Sequence, residues 1–177
     1  MPINIFEALA CFEFTKYSSC FSAMNVLKAN LNITVIEASP TPSGGILILG
    51  LNSSSEKPEN FNLFYQAQLG FNKDSLLKSC LILKPNPQVL SAYLSQNSIP
   101  QINDLSFFET NSICDGLSKA CELAESGASL IDFRTLRSTH NRCIVVFTSN
   151  DRQIYSENIT TISNPADLIK SYFQILK

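Results

Sequence analysis

The sequence has only one histidine among its 177 residues, no Cys-x-x-Cys pair and few charged side chains. A single histidine argues against a histidine-based metal site, and six cysteines without paired spacing give little support to zinc or redox chemistry. Charged residues make up 16% of the chain, the net charge is −2, and Lys and Arg are scattered. The basic surface of a nucleic-acid-binding protein is therefore missing. We expect no cofactor, no metal and no nucleic-acid partner.

Long apolar runs are also missing. No run approaches the roughly 20 residues that span a bilayer, and residues 1–7 lack the basic start and apolar stretch of a signal peptide. We therefore expect a cytoplasmic protein with no membrane partner. Apolar residues still make up 45% of the chain, which is enough for a folded core. In such a protein the cysteines are expected to be reduced and mostly buried, namely Cys11, Cys20, Cys80, Cys114, Cys121 and Cys143.

The first half of the chain predicts a small unit of strands and helices. Apolar and β-branched runs predict strands over 5–15, 33–38, 46–50 and 80–83, and the intervening patterns predict helices over 18–30, 61–69 and 88–94. Ser18 or Ser19 is expected to cap the first helix, whose apolar positions are Phe21, Ala23, Met24 and Leu27. Residues 39–45 contain two prolines and two glycines, which predicts a turn-forming loop.

The second half repeats this order. Strands are predicted over 105–110, 129–134 and 143–148, with a loop over 135–142. A helix over 115–125 places Leu117, Ala120, Cys121 and Ala124 on one face, where Cys121, like Cys114, is expected to be a core residue. Near the end of the chain, the run 164–168 followed by Tyr172 matches the run 86–90 followed by Tyr93.

Residues of matching character in matching order indicate a duplication. The sequence therefore predicts a first domain over 1–97, a linker over 98–102 and a second domain over 103–177. The second copy passes from Ser149 to Asn164 directly, so it is shorter and is expected to lack the helix over 61–69.

Several segments carry a resemblance to the bacterial microcompartment shell domain, and the order of predicted elements resembles that domain, unpermuted, over nearly the whole chain. They are Ala8–Glu13 and Phe107–Thr110, which resemble its opening strand; Val26–Asn30, which resembles the helix end bearing an edge Lys; Ser43-Gly44-Gly45 before Ile46–Leu49, which resembles its pore loop; and Leu83–Asn86, which resembles its edge motif.

The resemblance implies an α+β fold of two tandem ferredoxin-like units, each an antiparallel sheet with flanking helices. It also implies a structural shell protein that forms a homotrimer, or pseudohexameric ring, with other shell proteins as partners and a central pore for small metabolites. The implied pore-lining residues are Ser43, Gly44, Gly45, Ser138, Thr139 and His140, and the implied oligomer-edge residues are Lys28, Lys84 and Asn86.

The second copy departs from the family pattern. Ala124-Glu125 stands near the position of the edge Lys, Ile162-Ser163 stands where Lys84-Pro85 is expected to align, and the loop over 136–141 contains no glycine. These differences put the tiling of rings into flat sheets in doubt more than they do the ring itself.

Two other functional classes stay open. A ferredoxin-like ligand-binding or regulatory oligomer is the main alternative, since duplicated small α/β units also serve as sensors. Arg137 and Arg142 flank His140, so that loop is locally basic and could attract an anionic metabolite. A solvated loop residue is the simpler interpretation of His140. An enzyme is disfavoured because no His, Asp and Cys residues converge. Glu13 and Glu109 could suggest acid–base chemistry, but duplication already explains their matching positions. We predict a protein that is not an enzyme.

Overall fold

The computed structural model describes residues 6–52, 75–98, 101–136, 142–149 and 158–175. The chain divides into two compact units, which we call the first unit (described residues up to Pro85) and the second unit (those from Asn86 onward). Each unit contains one antiparallel four-stranded sheet, flanked among the described residues by one helix in the first unit and three in the second, so the predicted α+β fold of two tandem units is confirmed.

The first unit contains, in chain order, β1 (Ala8–Phe14), α1 (Ser18–Asn30), β2 (Ile33–Thr41), β3 (Gly44–Leu51) and β4 (Leu76–Leu83). Its strands are ordered β2-β3-β1-β4. All seven residues of the central strand β1 are buried, as its continuous apolar run predicts. The core on the α1 side of the sheet joins β1 and β3 to the helix, and includes Phe12, Phe14, Leu47 and Leu27.

The second unit contains α2 (Pro87–Tyr93), β5 (Asp104–Thr110), α3 (Ile113–Glu125), β6 (Ser129–Leu136), β7 (Arg142–Thr148), β8 (Ile159–Ser163) and α4 (Asp167–Ile175). Its strands are ordered β6-β7-β5-β8. On one face of this sheet Ile102, Leu105, Ile131 and Val146 form a core cluster, against which α4 packs. The helix α2 closes the first repeat in the sequence but packs in the second unit.

The two sheets agree in detail. The strand orders correspond position by position. The edge strands β2 and β6 also carry a β-bulge at the same place, between Val35 and Glu37 in β2 and between Leu130 and Asp132 in β6. A shared bulge is a feature of a common ancestor, because bulges persist within families. The structure therefore supports duplication at the level of register as well as topology.

Helix α3 matches its prediction more closely than α1 does. The Ser112 side chain accepts a hydrogen bond from Asp115 N at 3.2 Å, so α3 has an N-cap, and its predicted apolar face is buried. In α1 the N-cap is Tyr17, with no side-chain capping bond, so the prediction of a serine cap is wrong.

The prediction for Phe21 is also wrong. Phe21 is 51% exposed, whereas Cys20, Ala23 and Leu27 are buried and Met24 is half-buried. Cys20 begins the three- and four-residue spacing that faces the sheet, and the next residue lies about 100° further round the helix. The aromatic side chain therefore points away from the core.

The predicted loop over 39–45 is wrong in extent. Strand β2 continues to Thr41 and β3 begins at Gly44, so the turn consists of Pro42 and Ser43 alone. Pro40 lies inside β2 opposite Gly45. A proline is tolerated there because β2 is an edge strand, and one side of an edge strand makes no ladder hydrogen bonds.

The sequence does not predict strand β8. It has five residues, pairs with β5 alone among the described strands, and leaves Thr160, Ile162 and Ser163 exposed. Such a short edge strand, with little apolar content, produces almost no period-two signal. The predicted helix over 61–69 lies outside the described residues.

The predicted match between Asn86 and Asn164 is displaced by two residues. Lys84 has φ +48° and Asn164 has φ +50°. Each backbone N donates to the residue just before the opening strand, Lys84 to Glu7 O at 2.8 Å and Asn164 to Asn103 O at 3.1 Å. Lys84 and Asn164 are therefore the corresponding residues. Asn164-Pro165, and not the predicted Ile162-Ser163, aligns with Lys84-Pro85 of the first copy.

Candidate functional site

The first set of predicted pore residues lies at the tip of the β2–β3 hairpin. Ser43 is exposed, and its Oγ lies 3.4 Å from Thr41 Oγ1. Gly44 and Gly45 follow as the first two residues of β3, and Gly45 is buried. The tip therefore presents Pro42 and Ser43 to its surroundings, with the glycines set behind them.

Packing within the first unit requires both glycines. A Cβ atom on Gly44 would lie 2.1 Å from Phe14 O, and Gly44 has φ +144°. A Cβ atom on Gly45 would lie 2.8 Å from Cys20 Sγ. These separations are shorter than real Cβ contacts, so the close approach of β3 to the end of β1 and the start of α1 explains these glycines without a ligand.

The second set of predicted pore residues, Ser138, Thr139 and His140, lies outside the described residues. Among the residues that the structure does describe, no group of three or more His, Cys, Asp or Glu side chains could hold a metal ion. No helix in this same part of the chain is long and apolar enough to cross a membrane.

Lys28 lies in the last turn of α1 and is exposed. A cation there is favourable because the carbonyl end of a helix carries partial negative charge. Lys28 also lines an open groove of about 540 Å³ between α1 and the edge strand β2. We call this surface the α1/β2 groove; its lining residues are Phe21, Met24, Asn25, Lys28, Ala29, Ile33 and Val35.

The other two predicted edge residues lie at the corner between β4 and α2. Lys84 is exposed at positive φ, and its backbone N bonds to Glu7 O. Asn86 is the N-cap of α2, and its Oδ1 accepts from Gln88 N at 3.0 Å. Neither residue lines the α1/β2 groove, so the structure does not bring Lys84 or Asn86 together with Lys28 there.

The two matching carboxylates differ in environment. Glu13 is 4% exposed and stands opposite Ile46 in β3, while Glu109 is exposed and stands opposite Ile144 in β7. Their equivalent registers agree with duplication, and their unequal burial is not the arrangement of a catalytic pair.

The six cysteines, all within described segments, are thiols, and all but Cys80 are buried. Burial raises the pKa of Cys20 from an ordinary value of 9.0 to about 11. Its Sγ lies 3.4 Å from Ile46 O. A thiol held protonated in this way is a poor nucleophile. Cys20 is therefore a core residue and not a reactive one, and the expectation that Cys114 and Cys121 are buried is confirmed.

Sequence reasoning missed the exposed apolar residues. In the first unit Phe21, Val26 and Val35 are 51%, 45% and 43% exposed. In the second unit Leu168 is 82% exposed and Tyr172 is 53% exposed, both on α4. The sequence of α4 does indicate an exposed apolar surface, because it has apolar residues on two faces. One apolar face suffices for a helix on a monomeric domain.

At the level of sequence, the chain matches no protein-family model, and it matches no curated protein. At the level of structure, it is similar to a microcompartment protein from Desulfitobacterium hafniense DCB, with a TM-score of 0.76 and 18% identity. The similarity covers 94% of this chain and 99% of that one. The chain thus shares the fold of that microcompartment protein over nearly its whole length.

A second solved structure is far less similar. It is named for a proposed role as a transcriptional repressor of the glycine cleavage system, and it aligns over 89% of this chain and 96% of its own. The TM-score is 0.32 and the identity is 9%. A score this low carries no argument about fold or function.

Proposed function

We propose that this chain is a structural shell protein of a bacterial microcompartment and not an enzyme. The observation that carries the proposal is the extent of the fold similarity, because both repeats align with a microcompartment protein at a TM-score of 0.76 over 99% of that chain. Two tandem domains of one family in one chain provide two of the six positions of a ring. Three chains therefore complete a pseudohexameric homotrimer.

The exposed apolar residues support self-association. Single exposed apolar side chains are ordinary, but the α1/β2 groove brings Phe21 and Val35 together beside Met24 and Ile33. Grouped apolar surface of this kind marks an interaction site on a soluble protein. Closed rings are the common way in which homo-oligomers bury such surface.

Within this proposal the hairpin tip at Ser43, with Gly44 and Gly45 behind it, and the loop containing Ser138, Thr139 and His140 line a central opening for small metabolites. Lys28, Lys84 and Asn86 lie toward the oligomer edge. The domains follow the repeat, with the first over 1–97 and the second over 103–177. The protein works in the cytoplasm, in the shell, with other shell proteins as partners.

The solution mass tests the proposal. Light scattering coupled to size exclusion, at two protein concentrations, is expected to give a mass near three times 19.6 kDa at both. Electron microscopy of the same sample then examines whether the rings assemble into sheets. A monomer at the higher concentration rules out the shell proposal and favours a ligand-binding module, while the two-unit fold remains.

A further inference from the structure

Helices α2 and α4 are the same element in the two repeats. Each begins three residues after a residue at positive φ, and the two such residues, Lys84 and Asn164, make the corresponding backbone hydrogen bond. This numbering places Leu168 of α4 at the position of Gln88 in α2, and Tyr172 at the position of Ala92. The two helices nevertheless differ in what covers them.

Helix α2 is covered by β6 and α3 of the second unit. The side chain of Gln88 accepts a hydrogen bond from Leu130 N at 3.2 Å, and Asn97 Nδ2 donates to Leu130 O at 2.8 Å. The Tyr93 ring meets the Phe133 ring edge to face, with centroids 5.2 Å apart. The outer edge of β6 is therefore closed by α2 and the residues after it, and Leu130 is 1% exposed.

The corresponding surface of the first unit is open. Val35 occupies the place of Leu130, because both residues precede the shared bulge and pair with matching residues of the next strand, Leu49 and Phe147. Val35 is 43% exposed, against 1% for Leu130. This surface is the α1/β2 groove, where Phe21 is 51% exposed. The described part of the first unit contains no helix that packs on β2 as α2 packs on β6.

Helix α4 has the complementary defect. Ile169 and Phe173 pack against the core cluster of the second unit. Leu168, 82% exposed, and Tyr172, 53% exposed, lie four residues apart and therefore share one face of the helix, about 100° round from Ile169 and Phe173. The chain thus has one open groove and one helix with an exposed apolar face. The α1/β2 groove corresponds to the surface of β6 and α3 on which α2 packs, and α4 corresponds to α2.

We infer that α4 of one chain docks in the α1/β2 groove of a second copy of this chain. This contact repeats the packing of α2 on β6 and α3, with Leu168 beside Val35 where Gln88 meets Leu130. The two surfaces belong to different parts of the chain, so the contact is heterologous and extends from copy to copy until a ring closes. The inference rests on the proposed function, because it supplies the interface of the proposed trimer.

Photo-crosslinking tests the contact directly in the full chain. A benzoylphenylalanine in place of Tyr172 is expected to give light-dependent covalent dimers whose linked peptide contains residues 21–35. Mixing ¹⁴N- and ¹⁵N-labelled chains identifies the link as one between two copies. The same probe in place of Leu77, which is 54% exposed on β4, is the matched control and is expected to give no link to residues 21–35. Links from position 172 that lie only within one chain, or only to other peptides, overturn the inference.

A substitution separates the two proposals. Leu168→Asp is expected to raise the dissociation constant of the oligomer at least about tenfold, while Leu77→Asp, at an exposed leucine outside the proposed contact, leaves it unchanged. Circular dichroism verifies that both variants are folded. If Leu168→Asp assembles as well as Leu77→Asp, the docking of α4 is wrong although the trimer stands. If the wild-type chain is itself a monomer, the shell proposal fails first.

Discussion

The thiol of Cys20 fills the space that a side chain on Gly45 would need. A Cβ atom on Gly45 would lie 2.8 Å from Cys20 Sγ, where α1 crosses β3. In the second unit the roles are exchanged, since a Cβ atom on Gly116 of α3 would lie 2.1 Å from Cys143 Sγ of β7. Each repeat therefore pairs one glycine with one cysteine across the helix–sheet contact. The cysteine lies on the helix in the first repeat and on the strand in the second.

Replacing Gly116 with alanine tests this close contact. Gly116→Ala is expected to lower the free energy of unfolding by about 1–3 kcal/mol, because the methyl group overlaps the Cys143 side chain in a packed core. The loss is expected even though alanine is the better helix former by about 1 kcal/mol. Urea denaturation followed by circular dichroism measures the change.

The control is a double-mutant cycle with Cys143→Gly, which removes the overlapping atoms. The double variant is expected to be more stable than the sum of the two single effects, since adjacent residues couple by about 0.5–3 kcal/mol. Strictly additive effects would show that Gly116 is required for a reason other than the space occupied by Cys143.

Gly127 is required for its backbone conformation alone. It follows the end of α3 at φ +86°, and a Cβ atom there would meet nothing within 4 Å. Gly127 N donates to Ala124 O and Ala128 N donates to Leu123 O, which are the two hydrogen bonds of a Schellman motif. Gly127→Ala is expected to cost about 1 kcal/mol in thermal or urea unfolding, and Gly127→Asn less, because asparagine tolerates this region. Equal costs for the two variants would contradict this explanation.

The order of elements and the repeat could be predicted from sequence because they rest on strong local patterns. The buried run of β1 and the apolar face of α3 are examples, and both are confirmed. The prediction was wrong at Phe21 and missed β8, where tertiary context decides the outcome. The face that a helix turns to its sheet, and the pairing of a short polar edge strand, depend on partners that are distant in the chain.

The interface residues could not be predicted for a related reason. Val35 and Leu130 are both apolar residues in edge strands, so the sequence around them does not show that Leu130 is buried and Val35 exposed. Only the packing of α2 on β6 separates them. At Gly44 and Gly45 the sequence does not separate a packing requirement from a pore role, because packing inside the first unit already accounts for both glycines.

The raised pKa of Cys20 makes stability depend on pH in the alkaline range. Below pH 9.0 this thiol is protonated in both the folded and the unfolded state; between 9.0 and about 11 the unfolded chain loses the proton and the folded chain keeps it. Unfolding therefore becomes easier as the pH rises through this window. Between about pH 8 and about pH 10 the wild type is expected to lose about 1 kcal/mol relative to Cys20→Ala.

Urea denaturation of the wild type and Cys20→Ala at both pH values measures the difference, and titrations shared by the two proteins cancel. An unchanged difference would show that Cys20 ionises at an ordinary pKa in the folded protein. Reaction of the folded wild type with a thiol reagent is a second check, since Cys20 is expected to be modified only after unfolding.

Asn86 allows a capping role to be separated from a role at the oligomer edge. Its Oδ1 accepts a hydrogen bond from Gln88 N at 3.0 Å at the start of α2. Asn86→Ala is therefore expected to lower the free energy of unfolding by about 1 kcal/mol, whereas Asn86→Ser keeps a capping oxygen and stays close to wild type. Denaturation curves measure the stability of each variant, and light scattering measures its mass. If Asn86→Ser keeps full stability but loses assembly, the amide contacts another copy as well as capping α2. If both variants assemble normally and only Asn86→Ala is destabilised, capping accounts for this residue.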